Sequence, residues 1–433
     1  MPDVQSLRDG FQFMKGNILV LTITQVLGMF CRSMVFPYAS LYILALGGQP
    51  AQIGLVNSLR PVAGLIMFPI AGYIADRAGR VKLIALGGYL SGSVLLLYVL
   101  APSWEAVALA GLLQGFVVFQ FPPTSAIIAD SLSPHNRGKG MATMNTISGV
   151  LAMASPYLAG ATLDVHGEKA GMRLLYGVMM AVYLVNATIN LRFLKETAAR
   201  RKEELNLSSL PRAFKNAYGG IPAVLRQLPR SLRALAAIIV LGFTSNAIAS
   251  PFWVVYAKEH IGLASREWGL ILLVETLLRT LLNVPSGMVV DRYGRARFIL
   301  ASLLLSLVSI PLFVFSSSLM QVLLVRIAVA VANAFFTPAC SALMADTVPR
   351  DMRGRVMAAI GRGSVMLGAA SSGGMGGPGM GFLITLPVML GSLAGGYLYG
   401  HDPTLPWLFV SGATTTSLLL SALFLRDPQQ AEI

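Results

Sequence analysis

The chain has 433 residues, of which 55% are hydrophobic and only 12% are charged. Soluble domains carry about 25% charged residues, so this composition excludes an ordinary water-soluble globule and indicates a membrane protein. The net charge of +14 is dispersed between apolar segments, and no nucleic-acid partner is predicted. Two cysteines and four scattered histidines favour neither a disulfide framework nor a metal site, and no cofactor is predicted.

Twelve apolar segments are long enough to cross a bilayer, which takes about 20 residues. The first is too long for the core of a cleavable signal, so it is predicted to span. The eleventh is too long for one helix. The predicted fold is therefore all-α and transmembrane, with twelve spanning helices. Their predicted bounds are 17–46, 52–75, 82–101, 104–129, 140–163, 172–194, 234–257, 267–290, 297–316, 319–345, 356–399 and 405–425.

The distribution of Lys and Arg predicts the orientation, because cytoplasmic loops are enriched in both. With a cytoplasmic N-terminus, 24 of the 33 basic residues fall in inner segments and four in outer loops. An even number of spans places the C-terminus on the same side. We therefore expect a multi-pass protein of a prokaryotic plasma (inner) membrane with both termini cytoplasmic, its basic segments facing anionic lipid.

One long polar stretch divides the chain. Residues 195–233 mix Lys, Arg and Glu with Leu, Phe and Pro. We interpret them as a cytoplasmic linker with short interfacial helices, and a regulatory site is the alternative. The predicted domains are an N-terminal six-helix bundle at 1–194 and a C-terminal six-helix bundle at 234–433.

The two halves contain the same loop sequence, G-x-x-x-D-R-x-G-R, at an offset of 215 residues. A second match, from Asp130 to Arg137 and from Asp346 to Arg353, has an offset of 216. Two matches at nearly one offset indicate a parallel repeat, a pattern found in transporters. The loop residues are Gly72, Asp76, Arg77, Gly79 and Arg80 in the first copy, and Gly287, Asp291, Arg292, Gly294 and Arg295 in the second.

This loop resembles motif A of the major facilitator superfamily, and the resemblance covers nearly the whole chain. It implies two parallel six-helix bundles around a central cavity that opens alternately to each side, in a protein expected to be monomeric. It also implies that Asp76 faces the N-terminus of the eleventh helix and holds a cytoplasmic gate shut. By the same resemblance Arg80 pairs with Asp130, and by symmetry Arg295 pairs with Asp346. Alternatively, these charges only anchor the topology.

Charged residues inside apolar spans are costly and mark functional sites by default. Glu275 is the only deep acid, and by the repeat offset it is equivalent to Arg60. Three interpretations remain open for it: an ion pair with Arg60 between the halves, a local pair with Arg279, or a proton-binding carboxylate. The candidate substrate or coupling-ion residues are Arg32, Arg60, Glu275, Arg279 and Arg326. Their excess of arginine favours an anionic or zwitterionic solute.

Two further features concern antiport and gating. The antiporter motif on helix five is degenerate, with Pro156 and Gly160 retained, and Gly111 stands where drug exporters of the superfamily often carry an arginine. A Gly-rich insertion near 371–386 disfavours continuous helix. It is either a disordered insertion that loops out on one side, or a flexible hinge or re-entrant segment near the gate.

We therefore predict a secondary active transporter of a small organic solute that works by alternating access. Proton-coupled efflux of an amphipathic compound or drug is favoured, with protons as the candidate coupling ion. The alternatives are an uptake permease for a small organic anion and a non-transporting membrane sensor on the same fold. The sequence contains no phosphate-binding loop, nucleophile elbow or HExxH motif, and an enzyme is not predicted.

Overall fold

The computed structural model describes residues 13–75, 79–134, 137–197, 228–348, 356, 360, 365–369 and 382–427. Within these ranges the chain is helical, as the sequence predicts. The helices are α1 (Asn17–Ala45), α2 (Pro50–Ala75), α3 (Arg80–Leu100), α4 (Trp104–Ser131), α5 (Arg137–His166), α6 (Glu168–Phe193), α7 (Arg230–Glu259), α8 (Ser265–Tyr293), α9 (Arg295–Leu312), α10 (Leu319–Thr347), α11 (Phe382–His401) and α12 (Leu405–Phe424).

The twelve helices coincide with the predicted spans to within a few residues, apart from the eleventh. Among the described residues, 11 helices are long and apolar enough to cross a membrane, and α2 adds a helix of 26 mostly apolar residues. The predicted span 356–399 is not one helix, because residues 365–369 are non-helical and α11 begins at Phe382. The Gly-rich stretch at 371–381 lies outside the described residues.

Two helices at equivalent places in the repeat contain a short 3₁₀ turn. In α1 the turn covers Phe36–Tyr38 and in α7 it covers Ser250–Phe252. Each contains a proline, Pro37 or Pro251, whose ring lacks the N–H that a regular helix requires. The turns lie between the long inner part and the short outer part of each helix. The equivalent prolines therefore interrupt the regular helix at the same place in both halves.

We call the end that holds residues 46–49, 101–103 and 402–404 the outer end, following the orientation predicted from charge. Buried apolar residues form three clusters. One contains Tyr38 and Trp268 and draws on both halves near the outer end. The other two each belong to a single half. The halves therefore share a core towards the outer end, whereas these two clusters pack separately.

Candidate translocation pathway

Glycines bring helices of the two halves into contact near the outer end. A Cβ on Gly269 of α8 would lie 2.5 Å from the carbonyl oxygen of Pro156 in α5. A Cβ on Gly396 of α11 would lie 2.8 Å from the carbonyl oxygen of Pro50 in α2. Gly160 and Gly54 are packed as tightly against α8 and α11. The α5–α8 and α2–α11 contacts close the outer end in the same way on both sides of the repeat axis.

Polar contacts between the halves reinforce this closure. Asp164, at the end of α5, accepts hydrogen bonds from the backbone N–H groups of Ser265 (2.9 Å) and Arg266 (3.0 Å) at the start of α8. A carboxylate is favourable at a helix N-terminus, where unpaired N–H groups carry partial positive charge. Lys258 of α7 pairs with Glu168 of α6 at 2.5 Å. The N-terminal half thus caps a helix of the C-terminal half.

The tyrosine of the 3₁₀ turn in α1 joins the same contact. The Tyr38 hydroxyl is fully buried, donates to the carbonyl of Pro156 at 2.7 Å and lies 3.0 Å from the carbonyl of Ser265. Pro156 and Gly160, which the sequence singles out as the helix-five motif, therefore lie at the outer contact between the halves.

Below the closed end lies a cavity of about 330 Å³ between the halves. Residues of α1 and α5 form one wall, and residues of α8, α10 and the segment 365–369 form the other. Three of the predicted charged residues line it, namely Arg32, Glu275 and Arg279. The structure therefore brings these three together at the interface where alternating access requires a solute to pass.

Glu275 of α8 and Arg326 of α10 form a buried ion pair. Glu275 Oε2 accepts hydrogen bonds from Arg326 Nη2 at 2.5 Å and from Nε at 3.0 Å. The guanidinium is 0% exposed, its Cζ lies 4.6 Å from the ring centroid of Trp253, and Nη1 donates to the carbonyl of Gly368 at 2.7 Å. Arg326 thus links α7, α8, α10 and the segment 365–369.

This pair differs from both ion pairs considered from the sequence. Glu275 contacts neither Arg60 nor Arg279 as an ion-pair partner in the described structure, so those two interpretations are wrong. Arg279 points one turn further along α8, and its Nη1 lies 2.7 Å from the sulfur of Met366. Glu275 and Arg326 face each other across the contact between α8 and α10, whereas Arg279 is directed towards Met366.

The non-helical segment 365–369 is held by side chains of α7 and α10. Asn333 of α10 donates to the carbonyl of Leu367 at 2.7 Å and accepts from its N–H at 2.6 Å. Asn246 of α7 accepts from the N–H of Ala369 at 3.0 Å and donates to the carbonyl of Met366. Irregular backbone inside a membrane must have its polar groups satisfied by protein. Asn246, Asn333 and Arg326 meet that requirement here.

A second cavity, of about 440 Å³, lies within the N-terminal bundle between α1, α2, α3, α4 and α6. Arg32 lines both this cavity and the one between the halves. Arg60 lines it from α2 and stacks on Phe36, with Cζ 5.6 Å from the ring centroid. Four of the five predicted intramembrane residues thus border a cavity, and the fifth, Arg326, is fully buried beside one.

At the inner ends, both arginine–aspartate contacts expected from the repeat are present. Arg80 pairs with Asp130 and Arg295 pairs with Asp346. Arg295 Nη2 also lies 3.6 Å from Asp291, whose side chain is 65% exposed. Asp76 and Arg77 lie outside the described residues, so the predicted contact of Asp76 with the eleventh helix is not described.

The glycines of the two loops differ in role. Gly79 has φ 29° and Gly294 has φ 102°, values that favour glycine over other residues, and each begins the following helix. Gly287 borders open space, and Arg292 lies over the ring of Tyr293 at 5.4 Å. Gly72 lies in the last turns of α2. The chain therefore makes a tight turn at Gly79 and at Gly294, and Gly287 is not closely packed.

Two capping carboxylates escaped the sequence interpretation. Glu196 accepts from the N–H of Val81 at 3.1 Å at the start of α3. Asp427 accepts from the N–H groups of Arg295 (2.8 Å) and Ala296 (3.1 Å) at the start of α9. Both follow the last helix of their half, in the matching sequences F-L-K-E and F-L-R-D. This third pair of matching sequences could have revealed the two capping carboxylates before the structure was known.

A sequence profile described as Major Facilitator Superfamily matches residues 21–245 and 235–432. The chain belongs to this superfamily. The two matched ranges correspond to the two halves of the repeat. The cavity of about 330 Å³ lies between these halves.

Among its relatives in the superfamily is the multidrug resistance protein MdtG of Salmonella typhi. The two are 26% identical over 341 residues, covering 75% of this chain and 79% of the relative. The uncharacterized MFS-type transporter MJ1317 of Methanocaldococcus jannaschii is 23% identical over 418 residues, covering 93% and 94%. The first of these relatives carries a drug-resistance name and the second has no stated substrate.

Solved structures of similar fold include the nucleoside transporter NupG, with a TM-score of 0.68, 15% identity and coverage of 95% of this chain and 98% of that one. A bacterial homologue of the iron transporter ferroportin in an inward-facing state gives a TM-score of 0.68 at 14% identity, with coverage of 94% and 98%. At these identities the likeness establishes the fold alone. The fold is that of a transporter of the superfamily.

Proposed function

We propose that this transporter exports an amphipathic organic compound in exchange for protons, by alternating access across a prokaryotic plasma membrane with both termini cytoplasmic. It works as a monomer in the bilayer and is a carrier, not an enzyme. The observation that carries the proposal is the position of Glu275. It lines the cavity between the halves, and its partner Arg326 is buried behind it.

The geometry suits a carboxylate that exchanges a proton. Oε2 of Glu275 receives both hydrogen bonds from Arg326, and Oε1 has no hydrogen-bond partner among the described residues. A proton arriving from the cavity would neutralise the carboxylate and leave the guanidinium of Arg326 without its counter-charge. A buried unpaired charge is strongly unfavourable. Protonation therefore favours a different arrangement of the C-terminal half, which is how a proton would drive the cycle.

Arg326 offers a route from this event to the gates. The same guanidinium donates to the carbonyl of Gly368, and the segment 365–369 precedes α11 in the sequence, a helix that packs against α2 at the outer closure. In this proposal a change at Glu275 moves α11 against α2. The inner loops, through Asp76 and the Arg80–Asp130 and Arg295–Asp346 pairs, close the opposite side.

The direction is proposed on one support. A relative at 26% identity is a multidrug resistance protein, a name that implies removal of compounds from the cell. The closed outer end of the described structure is common to the cycles of exporters and importers and does not itself select a direction.

The test is transport in proteoliposomes under an imposed pH gradient, comparing the wild type with Glu275→Gln. We expect the variant to lose gradient-driven accumulation and to keep gradient-free exchange of solute, because the amide cannot take up or release the proton. Glu105→Gln, at the exposed outer start of α4, is the control and should retain both. If Glu275→Gln keeps the wild-type pH dependence, Glu275 has no role in coupling.

A further inference from the structure

The ion pair of the C-terminal half has no counterpart in the N-terminal half. At the repeat offset of 215 residues, Glu275 corresponds to Arg60 and Arg326 corresponds to Gly111. In the C-terminal half an acid and a base neutralise each other. In the N-terminal half the acid is replaced by a base, and the base by a residue without a side chain. Glu275 and Arg326 therefore neutralise each other, whereas the equivalent positions in the N-terminal half carry one positive charge and no acid.

Among the described residues, Arg60 has no acidic partner. Its Nε is buried and has no hydrogen-bond partner, and no described carboxylate lies within 4 Å of its guanidinium. A Cβ on Gly111 would still be 3.5 Å from its nearest neighbour, the hydroxyl of Tyr98. A buried charge in a membrane is normally paired or faces a water-filled path. The missing partner of Arg60 therefore points to a group supplied from outside the protein.

Arg32 presents a second cation to the same cavity. Its Nη1 lies 3.4 Å from the hydroxyl of Tyr183, a neutral partner, and no described carboxylate is within 4 Å of it. Arg32 and Arg60 both line the cavity of about 440 Å³ in the N-terminal bundle. Two guanidinium groups on one cavity form a site for an anion, since their N–H groups bind carboxylate or sulfate in a planar, paired geometry.

The same cavity contains unpartnered acceptors. Oε1 of Gln114 and Oδ1 of Asn186 are buried and have no hydrogen-bond partner in the part of the chain that the structure describes, and both residues line the cavity. Buried polar atoms are normally satisfied. A ligand that satisfies all of these groups carries an anionic group for the arginines and O–H or N–H donors for the amides. A cavity of this volume is in the range that accepts a drug-sized molecule.

We propose that the transported solute is an organic anion that carries hydrogen-bond donors, and that Arg32 and Arg60 bind its anionic group in the cavity of the N-terminal half. The inference rests on the proposed function and assigns a different binding role to each half. The C-terminal half binds the coupling proton at Glu275. The N-terminal half binds the solute, and its specificity is set by Arg32, Arg60, Gln114 and Asn186.

The test compares two probes that differ at one group. 4-Methylumbelliferyl glucuronide carries a carboxylate and sugar hydroxyls, and 4-methylumbelliferyl glucoside has a hydroxymethyl group in place of the carboxylate. Binding of each to the purified full-length protein is measured by equilibrium dialysis, with the cationic dye rhodamine 123 as a third probe. We expect the glucuronide to bind at least about 10-fold more tightly than the glucoside, since charge-assisted hydrogen bonds are the stronger ones.

Variants then locate the site. Arg32→Gln and Arg60→Gln should each lower the affinity for the glucuronide by about 10-fold or more and leave that for the glucoside unchanged. Arg60→Lys, which keeps the charge, should lose less than Arg60→Gln. Arg230→Gln, at an exposed position at the start of α7, should bind all probes like the wild type. The comparison of probes on the wild type does not depend on any variant folding.

The outcomes separate this inference from the proposed function. Equal affinity for glucuronide and glucoside, preference for rhodamine 123, or no binding of the glucuronide overturns the anion site. Proton-driven flux of rhodamine 123 alone would support the proposed export function and contradict the anion site. Conversely, arginine-dependent binding of the glucuronide with no flux of any probe in proteoliposomes would uphold the site and refute transport. Arginine-dependent binding together with proton-driven flux of the glucuronide supports both.

Discussion

Replacing Gly269 with alanine should open the outer end of the protein. The added methyl group would lie 2.5 Å from the carbonyl oxygen of Pro156 and 2.7 Å from the Cα of Tyr157. Both neighbours are backbone atoms of α5, so no side chain can rotate away to make room. The contact is relieved only if α8 and α5 separate. That separation is the movement that opens the cavity outward.

The size of the effect follows from packing. Overfilling a close contact costs about 1–3 kcal/mol, and here the cost falls only on the state in which α5 and α8 touch. Alanine also favours the helix over glycine by about 1 kcal/mol, but that gain is common to both states and cancels. The ratio of outward-open to outer-closed molecules should therefore rise by about 5- to 150-fold.

The assay is the rate at which an impermeant maleimide labels a cysteine inside the closed end. Ser250 is 2% exposed and faces a small cavity between the halves beside Arg60, so Ser250→Cys reports opening. The buried native cysteines, Cys31 and Cys340, are replaced with serine. Labelling from the outer side should be accelerated by the factor given above.

A matched control is available in Gly412 of α12, where an added Cβ meets nothing within 4 Å. Gly412→Ala should label at the wild-type rate. Gly54 is the equivalent of Gly269 in the repeat, and Gly54→Ala should accelerate labelling as Gly269→Ala does. If Gly269→Ala labels no faster than Gly412→Ala, the glycine contacts do not hold the outer end closed and the reasoning is refuted.

Three other predictions concern the polar contacts. Asp164→Ala should weaken the outer closure by about 1–2 kcal/mol through loss of the cap on α8. It should accelerate the same labelling reaction, whereas Asp402→Ala should not. Among the described residues the carboxylate of Asp402 accepts hydrogen bonds only from the N–H and the hydroxyl of Thr404, both at 2.7 Å, and these bonds hold the pKa of its carboxyl below the usual value. Arg326→Met should lower the free energy of unfolding in detergent by about 3–5 kcal/mol, because it leaves Glu275 buried without a counter-charge. The double variant with Glu275→Met should regain most of that loss, and no recovery would contradict the pairing. Asn333→Leu should destabilise by at least about 2 kcal/mol, since it leaves two backbone groups of Leu367 unsatisfied. The melting temperature of Asn333→Leu should fall further below the wild-type value than that of Asn57→Leu. Among the described residues the amide of Asn57 donates only to the carbonyl of Ile53 in its own helix.

The helices and their order could be predicted because a bilayer demands long apolar runs, and because Gly and Pro mark the turns between them. The contacts Arg80–Asp130 and Arg295–Asp346 were accessible through the repeat and the resemblance it carries. Helix depth was also accessible, since rise per residue is fixed. These properties depend on position along the chain, which a sequence displays directly.

The partner of Glu275 was not accessible in this way. Depth alone brought Arg60 and Arg279 into consideration, but the pair is decided by how α8 and α10 are rotated against each other, which depends on the packing of whole helices. The same limit applies to Asn246 and Asn333, which are ordinary polar residues in sequence. They acquire a role only because the backbone at 365–369 departs from a helix beside them.

The glycine contacts at the outer end also affect how well the closed protein prevents protons from leaking across the membrane. A carrier driven by protons must keep the gradient from dissipating through a chain of water molecules between turnovers. At Gly54, Gly160, Gly269 and Gly396 an added Cβ would lie within 2.8 Å of a backbone atom of the neighbouring helix, so the two helix backbones are in direct contact there. A chain of water molecules therefore cannot run between the helices at these four points. Alanine at any of them should raise the passive proton conductance of the membrane even where solute transport continues.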